Sequence, residues 1–333
     1  YTENLQRLGI EVLYAPYETS VENHLQLYGD RYELAYLFRP QVANLYIEKI
    51  REHCPSAKIL FHTVDLHFLR MERQAKLNNN NRLSNAASEM KELELSLIKS
   101  ADISTVLGKQ EYDLLTKDES LIKKIKLMPY ARGIKNCSTP FKKRRDILFI
   151  GGFQHLPNID AVKYFINDVM PLLRTSLPGV CLYVVGSNPT EEIESMEAID
   201  VKIMGYVENI QPIFDNVKLS VVPLRYGAGI KGKIGTSMSY GVPVISTSLG
   251  AEGMGLSENM NILIADCPED FVQKIIALYK DEQLWRSISN EGISYAEDNW
   301  GFSAAYNNLR NVLSEIDIDV VALNELKRRV KIL

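Results

Sequence analysis

The chain has 333 residues, more than one average domain needs and about right for two. Apolar residues make up 46% and charged residues 24%, the balance of an ordinary soluble globular chain, and the net charge of −4 leaves no overall footprint for nucleic acid. No apolar run reaches the roughly 18–20 residues of a bilayer-spanning helix, and the scattered Cys54, Cys137, Cys181 and Cys267 have no metal spacing, which suits a reducing, cytoplasmic compartment. In chain order, "YTENLQRLG" (1–9) reads as a helix. The runs "IEVLYAP" (10–16), "YELAYLF" (32–38), "AKILFH" (57–62), "DISTVL" (102–107) and "IKLMP" (125–129) read as strands. Between them "PQVANLYIEKIREH" (40–53) and "SEMKELELSLIKSA" (88–101) are helical, and "NNNN" (78–81) is a polar loop.

The stretch 131–146 is polar and basic and carries Gly and Pro, so it reads as a boundary. Its basic run, Lys142 to Arg145, reads as a solvated linker or as a contact for an anionic surface. A second series of strands follows: "DILFIGG", "VCLYVVG", "VKIMG", "LSVVPL", "VPVIST" and "NILIAD". The helical segment 158–177 places Ile159, Val162, Phe165, Ile166, Val169, Leu172 and Leu173 on one stripe. From about 268 onward the pattern is helical. Apolar strands alternating with helices predict an α/β chain of parallel sheets covered on both faces. The expected units are a Rossmann-like domain over 1–138, a second over 139–300, and C-terminal helices over 301–333 that pack back on the first. The first unit opens on a helix, whereas a doubly wound domain starts on a strand, so its first segment is expected upstream of residue 1.

Two such units leave a cleft, and ligands sit beyond the carboxyl ends of the strands. The turn "FIGGFQHLPNIDA" (149–161) has Gly151 and Gly152 at a strand end and Asn158 at an expected helix N-cap; a plain structural turn and a ligand contact are both open. "VVGSNP" ends a strand at Gly186, and "IMGYVENIQPIF" sets Tyr206 and Val207 beside Gly205, where they would face a flat base or simply pack. The strongest signal is "VVPLRYGAGIKGKIGTSMSYGVPVIST" (221–247). Gly227, Gly229 and Gly232 free the backbone, and Lys231 and Lys233 stand at the start of a helix, which already favours an anion. A diphosphate is the expected ligand there, with Arg225 adding a bidentate contact. In "TSLGAEGMG" (247–255), Gly250, Ala251 and Glu252 form a small-residue loop whose carboxylate would accept from sugar hydroxyls or lie free in solvent. "FHTVDLHFLR" (61–70) carries His62, Asp65, His67 and Arg70 off a strand end, without the partners a metal site requires; an acid/base or acceptor loop and a purely structural one are both open. The acidic text "DID" (317–319) falls in an expected C-terminal helix and is discounted as a metal motif.

Taken in this order, the motifs of 147–310 resemble the family-4 glycosyltransferases of the two-domain GT-B fold. The first unit is similar to a subset of bacterial surface-polysaccharide transferases. The resemblance implies a nucleotide-diphosphate sugar as donor, a glycan or lipid-linked glycan as acceptor, retention at the anomeric carbon, and neither cofactor nor bound metal. It also allows a peripheral contact with the inner face of a membrane. It implies that Gly151, Gly152, Lys231, Lys233, Gly250, Ala251 and Glu252 surround the donor, while Asp65 and His67 serve the acceptor side and carry the chemistry. One departure matters. The family carries Glu-x7-Glu across this helix, and the matching positions are Ala228 and Thr236. Thr236 offers one hydroxyl where a carboxylate would grip the ribose diol, and each lost charged hydrogen bond costs about 1.5–3 kcal/mol. The rival expectation is therefore a non-catalytic GT-B-fold binding or scaffold domain of a larger protein.

Overall fold

The computed structural model describes residues 2–136 and 139–319. The first sheet holds β1 (Leu34–Phe38), β2 (Lys58–His62), β3 (Ile103–Val106) and β4 (Ile125–Leu127) in that order, each pair parallel. The second holds β5 (Ile147–Ile150), β6 (Leu182–Val185), β7 (Val201–Gly205), β8 (Leu219–Val222), β9 (Val244–Ser246) and β10 (Leu263–Ile264). Its order is β10-β9-β8-β5-β6-β7, all parallel, a complete doubly wound sheet that reverses direction between β5 and β8.

The strands are apolar throughout because helices cover both faces. In β2, Ile59 and Phe61 pack with Ala43, Ile47 and Ile50 of the helix Pro40–His53 and with Leu97 and Ile98 of the helix Asn81–Ser100. The alternate residue Leu60 faces the other way and meets Val312 and Leu313 of the helix Phe302–Ser314. The chain thus crosses back from the second unit to close the first, and Lys126 of β4 pairs with Glu315 at 2.8 Å. In the second unit Phe149 packs with Val162, Phe165 and Val169, while Leu148 faces Phe214, whose ring stacks on Tyr240 at 4.3 Å.

Several expectations are corrected. "IEVLYAP" is not a strand: it pairs with no sheet, and Ile10, Leu13 and Tyr14 are 48%, 44% and 43% exposed. Half-exposed side chains forgo much of the burial energy that offsets the cost of ordering a strand. The helix expected over 158–177 starts at Leu156 and passes through a π-helical segment, Phe165–Val169, before Met170–Ser176. Pro171, which has no N–H for the regular ladder, lies just past that segment. Arg144 is no solvated linker residue. It is 2% exposed, donates to the carbonyls of Thr139, Phe214 and Val217 at 2.8–3.0 Å, and lies over the Trp285 ring. Those carbonyls include the end of the helix Gln211–Asn216, where a cation is favourable. "DID" lies in the turn after the helix Phe302–Ser314, with Asp317 in the left-handed region at φ 60°. Cys137 lies outside the described residues. No described helix is long and apolar enough to cross a membrane.

Candidate active site between the two sheets

The reversal between β5 and β8 opens a crevice at the carboxyl ends of the second sheet. The turn after β5, the turn after β8 and the loop after β2 meet there around a cavity of about 280 Å³. Its wall includes Asp65, His67, Arg70, His155, Asn158, Lys231 and Lys233.

On the side of the second sheet, Lys231 is the N-cap of the helix Gly232–Ser239. Its Nζ donates to the carbonyl of Ala228 at 3.1 Å and to that of Gly229. Lys233 Nζ donates to Asn158 Oδ1 at 2.5 Å and stands 4.2 Å from the centre of the Phe149 ring. Burial pushes the Lys231 ammonium down to about 8, against the pull of Glu111 and Glu252. Burial and the charge of Lys231 push Lys233 down to about 7. Among the described residues neither lysine forms an ion pair. A buried and a half-buried cation at a helix start, neither in an ion pair among the described residues, are costly to the empty protein and suited to a doubly charged ligand.

The glycines here have steric reasons. A Cβ on Gly151 would lie 2.7 Å from Lys233 Nζ and 2.8 Å from Asn158 Nδ2. Gly229, at φ 69°, would place one 2.9 Å from Asp65 Cβ, so a side chain there would force the two units apart. Asn158 is not an N-cap: His155 occupies that place, and the Asn158 amide instead bridges Gly152 O, at 2.7 Å, to Lys233.

On the side of the first sheet, His67 Nε2 is 3.3 Å from Asp65 Oδ1, and its Nδ1 meets Gln41 Nε2 at 3.0 Å. Burial pushes the Asp65 carboxyl up, but the His67 hydrogen bond and the Arg70 charge, 3.5 Å away, outweigh it and hold the acid below its usual range. Arg70 also reaches His155 Nε2 at 3.3 Å. Burial first, then Arg70, pushes His155 down to about 4, so its ring is neutral near pH 7. Two buried acids hold the loop in place. Glu94 accepts from the backbone N–H of His67 and Phe68 at 3.0 and 2.9 Å, and Glu111 accepts from Leu66 at 3.0 Å. Both satisfy donors at the start of the helix His67–Leu77, which has no side-chain cap of its own.

Across the cleft, Arg73 of that helix forms a two-pronged pair with Glu252, at 2.6 and 3.1 Å, and donates to Gly227 O at 2.7 Å. Gln110 also bonds Glu252. At the position of the absent ribose acid, Thr236 Oγ1 accepts from Arg132 Nη1 at 2.7 Å. His62 sits apart, bonded to Thr105 Oγ1 at 2.6 Å. Arg225 is not brought to the cavity: it pairs with Asp160 and stacks on Tyr164. Gly186 packs against Gly151 O, where a Cβ would sit 2.1 Å away, and Tyr206 is exposed. Gly250 is buried below the loop that carries Ala251 and Glu252, its N–H bonded to Thr247 Oγ1 at 3.0 Å. Sequence reasoning missed Arg73, Glu94, Glu111, Arg132 and His155 as site residues. Only the spacing of Arg70 and Arg73, three apart on one helix face, offered a signal.

Residues 144–281 match the profile described as "Glycosyl transferases group 1". HepE from Anabaena, solved with UDP and glucose, superposes with a TM-score of 0.71 at 12% identity, covering 94% of this chain and 88% of that one. The fold is GT-B. TarM, known from S. aureus, superposes at 0.69 with 15% identity, over 87% of this chain and 57% of that one. A protein from the cps region of Klebsiella pneumoniae is 24% identical over 173 residues, 49% of this GT-B chain and 45% of that relative. The chain spans less than half the length of the curated relative it matches.

Proposed function

We propose that the chain is a retaining, metal-independent glycosyltransferase that moves a sugar from a nucleotide-diphosphate donor to a glycan acceptor during assembly of a bacterial surface polysaccharide. The observation that carries this reading is the pair Lys231, buried, and Lys233, half-buried, at a helix start on the cavity wall with no ion-pair partner among the described residues. In this reading they neutralise the leaving diphosphate, as a divalent cation does in other transferases. Asp65, held ionised, accepts the hydrogen bond of the attacking acceptor hydroxyl, and His67 fixes the carboxylate's orientation. The group 1 glycosyl transferase domain supports the reaction class, the UDP and glucose in HepE support the donor class, and the cps-region relative supports the pathway class.

The test is a transfer assay on the full-length protein with UDP-, GDP-, ADP- and dTDP-sugars, beside nucleotide titration of Lys231→Ala and Lys233→Ala. Both variants should bind nucleoside diphosphate at least tenfold more weakly; unchanged affinity in both would sink the assignment. Ala228 and Thr236, at the places of the family's two acids, favour a second reading as a non-catalytic GT-B binding unit. Turnover with any donor excludes it.

A further inference from the structure

Lys233 is held by contacts that attract its charge without cancelling it. Asn158 Oδ1 accepts from Nζ at 2.5 Å, and the centre of the Phe149 ring lies 4.2 Å away. Among the described residues no carboxylate pairs with Lys233, whereas Arg70, Arg73 and Arg225 nearby each pair with an acid: Asp65, Glu252 and Asp160. The far end of the Asn158 amide fixes its orientation. Its Nδ2 donates to Gly152 O at 2.7 Å, so its oxygen faces Lys233. Gly151 completes the arrangement, because a Cβ there would stand 2.7 Å from Lys233 Nζ and 2.8 Å from Asn158 Nδ2.

An acid at 158 would be favoured on two counts. Asn158 is in the first turn of the helix Leu156–Tyr164, which holds no acid there, and a carboxylate at a helix start is stabilising. It would also pair with a half-buried ammonium that has no other counter-charge. The nearest acid in sequence, Asp160, is instead taken by Arg225 in a two-pronged pair. A neutral side chain where a carboxylate is suited leaves the lysine's charge for another anion, and Asn158 and Lys233 both line the cavity. The amide oxygen accepts from a neutral amine as well as from an ammonium, so the side chain keeps its place in either form.

We propose that Asn158 is a positioning residue with a charge requirement: it aims Lys233 at the cavity and, by staying neutral, reserves the whole ammonium charge for the anion bound there. This rests on the reading of Lys231 and Lys233 as the diphosphate site. A carboxylate at 158 would hold Lys233 charged in the empty protein and compete with the ligand for it.

The experiment titrates the full-length protein with inorganic pyrophosphate at pH 7, 8 and 9, a range in which the Lys233 ammonium, at about 7, gives up its proton. Wild type is set beside Asn158→Asp, Asn158→Ala and Lys233→Ala, with thermal melts to report folding. The other titratable or charged groups on the wall are Lys231 of the same turn, His155 just ahead of Asn158, and Arg39, Asp65, His67, Arg70 and Tyr130 of the first unit. These and the pyrophosphate itself are common to all four proteins, so a difference in slope belongs to Asn158 and Lys233. Asn158→Asp should bind about tenfold more weakly than wild type at pH 7. Its affinity should vary with pH no more steeply than that of Lys233→Ala. Asn158→Ala should lose about fivefold, because the lysine is no longer aimed, yet keep the wild-type slope. Equal slopes in wild type and Asn158→Asp would overturn the proposal, since the amide would then serve only to lock the turn at Gly152. Wild-type affinity in Asn158→Ala would overturn it too, and that arm holds even where Asn158→Asp does not fold. If Lys233→Ala binds as tightly as wild type, this inference falls while Lys231 still carries the diphosphate reading. If pyrophosphate does not bind the wild type, the diphosphate reading falls and takes this inference with it.

Discussion

At Lys233 the cost of the empty site and the pull on a ligand are one quantity. Its ammonium sits at about 7, against an unperturbed 10.5, because the folded chain buries it beside Lys231. A depressed lysine destabilises the empty protein increasingly as pH falls from about 10.5 to about 7, where the unfolded chain binds the proton and the folded one does not, and the penalty is complete and constant below about 7. A diphosphate reverses the preference by favouring the charged form. Its affinity should therefore fall as pH rises from 7 to 9, by up to about tenfold per unit, with proton uptake on binding. Calorimetric titration of pyrophosphate in two buffers of different ionisation heat measures both, and Lys233→Ala should flatten the profile. Glu111 shows the opposite sign. Burial raises its carboxyl to about 7, so its contribution is complete below about 4.5 and lost as pH rises through 7. Glu111→Gln keeps the acceptor for Leu66 but cannot ionise. The melting temperature of this variant relative to wild type should climb between pH 5 and 8, and a constant difference would contradict the assignment.

At the scale of elements, the helix His67–Leu77 is one of the parts of the first unit that line the cleft. Its first turn opens with the backbone donors of His67 and Phe68, which Glu94, with no exposure to water, satisfies. Glu94→Ala would leave two buried N–H groups unpaired, a loss of about 2–5 kcal/mol in a denaturant titration, and the damage should spread to Asp65 and His67 beside them. Glu94→Gln, which keeps one acceptor oxygen, should lose less than half as much. This anchor was invisible in the sequence. "SEMKELELSLIKSA" is an amphipathic helix rich in acids, and nothing local tells Glu94 from the acids that face solvent; the difference lies in another helix ending against it. The strands of the second unit were legible because β5 to β10 are short apolar runs, all but β9 closed by Gly, Pro or Asp. "IEVLYAP" has the same texture yet forms no strand, since a strand depends on a pairing neighbour as well as on its own residues. Lys231 and Lys233 were legible because two lysines in a Gly-rich turn have a local meaning. Arg132 was not, because its partners Gly235 and Thr236 lie about a hundred residues away and only the folded linker brings them together.

At the scale of the whole molecule, the densest polar clasp across the cleft centres on Glu252, beside the contacts of Arg70 with His155 and of Lys109 N with Gly253 O. Arg73 reaches from the first unit to Glu252 and to Gly227 O, and Gln110 joins from a second helix of the same unit. One arm ends on the lysine turn itself, at Gly227, and the other on the neighbouring loop at Glu252, so the clasp couples the distance between the sheets to the shape of the proposed diphosphate site. A two-pronged, partly buried pair with an added carbonyl contact is worth about 1–3 kcal/mol, more than an exposed ion pair supplies. The helix Phe302–Ser314 ties the units together on the far side by packing on Leu60 and Ile103, so loss of the clasp should open the cleft without separating the units. Arg73→Ala should raise the radius of gyration of the ligand-free protein in small-angle scattering, and Glu252→Ala should do the same. The double variant should add little to either, because both remove one interaction. Saturating nucleoside diphosphate should restore most of the compactness in Arg73→Ala if the ligand itself bridges the units. An unchanged radius in all three variants would mean that the apolar contacts of the C-terminal helix alone set the closure, and that the clasp serves only to orient Glu252.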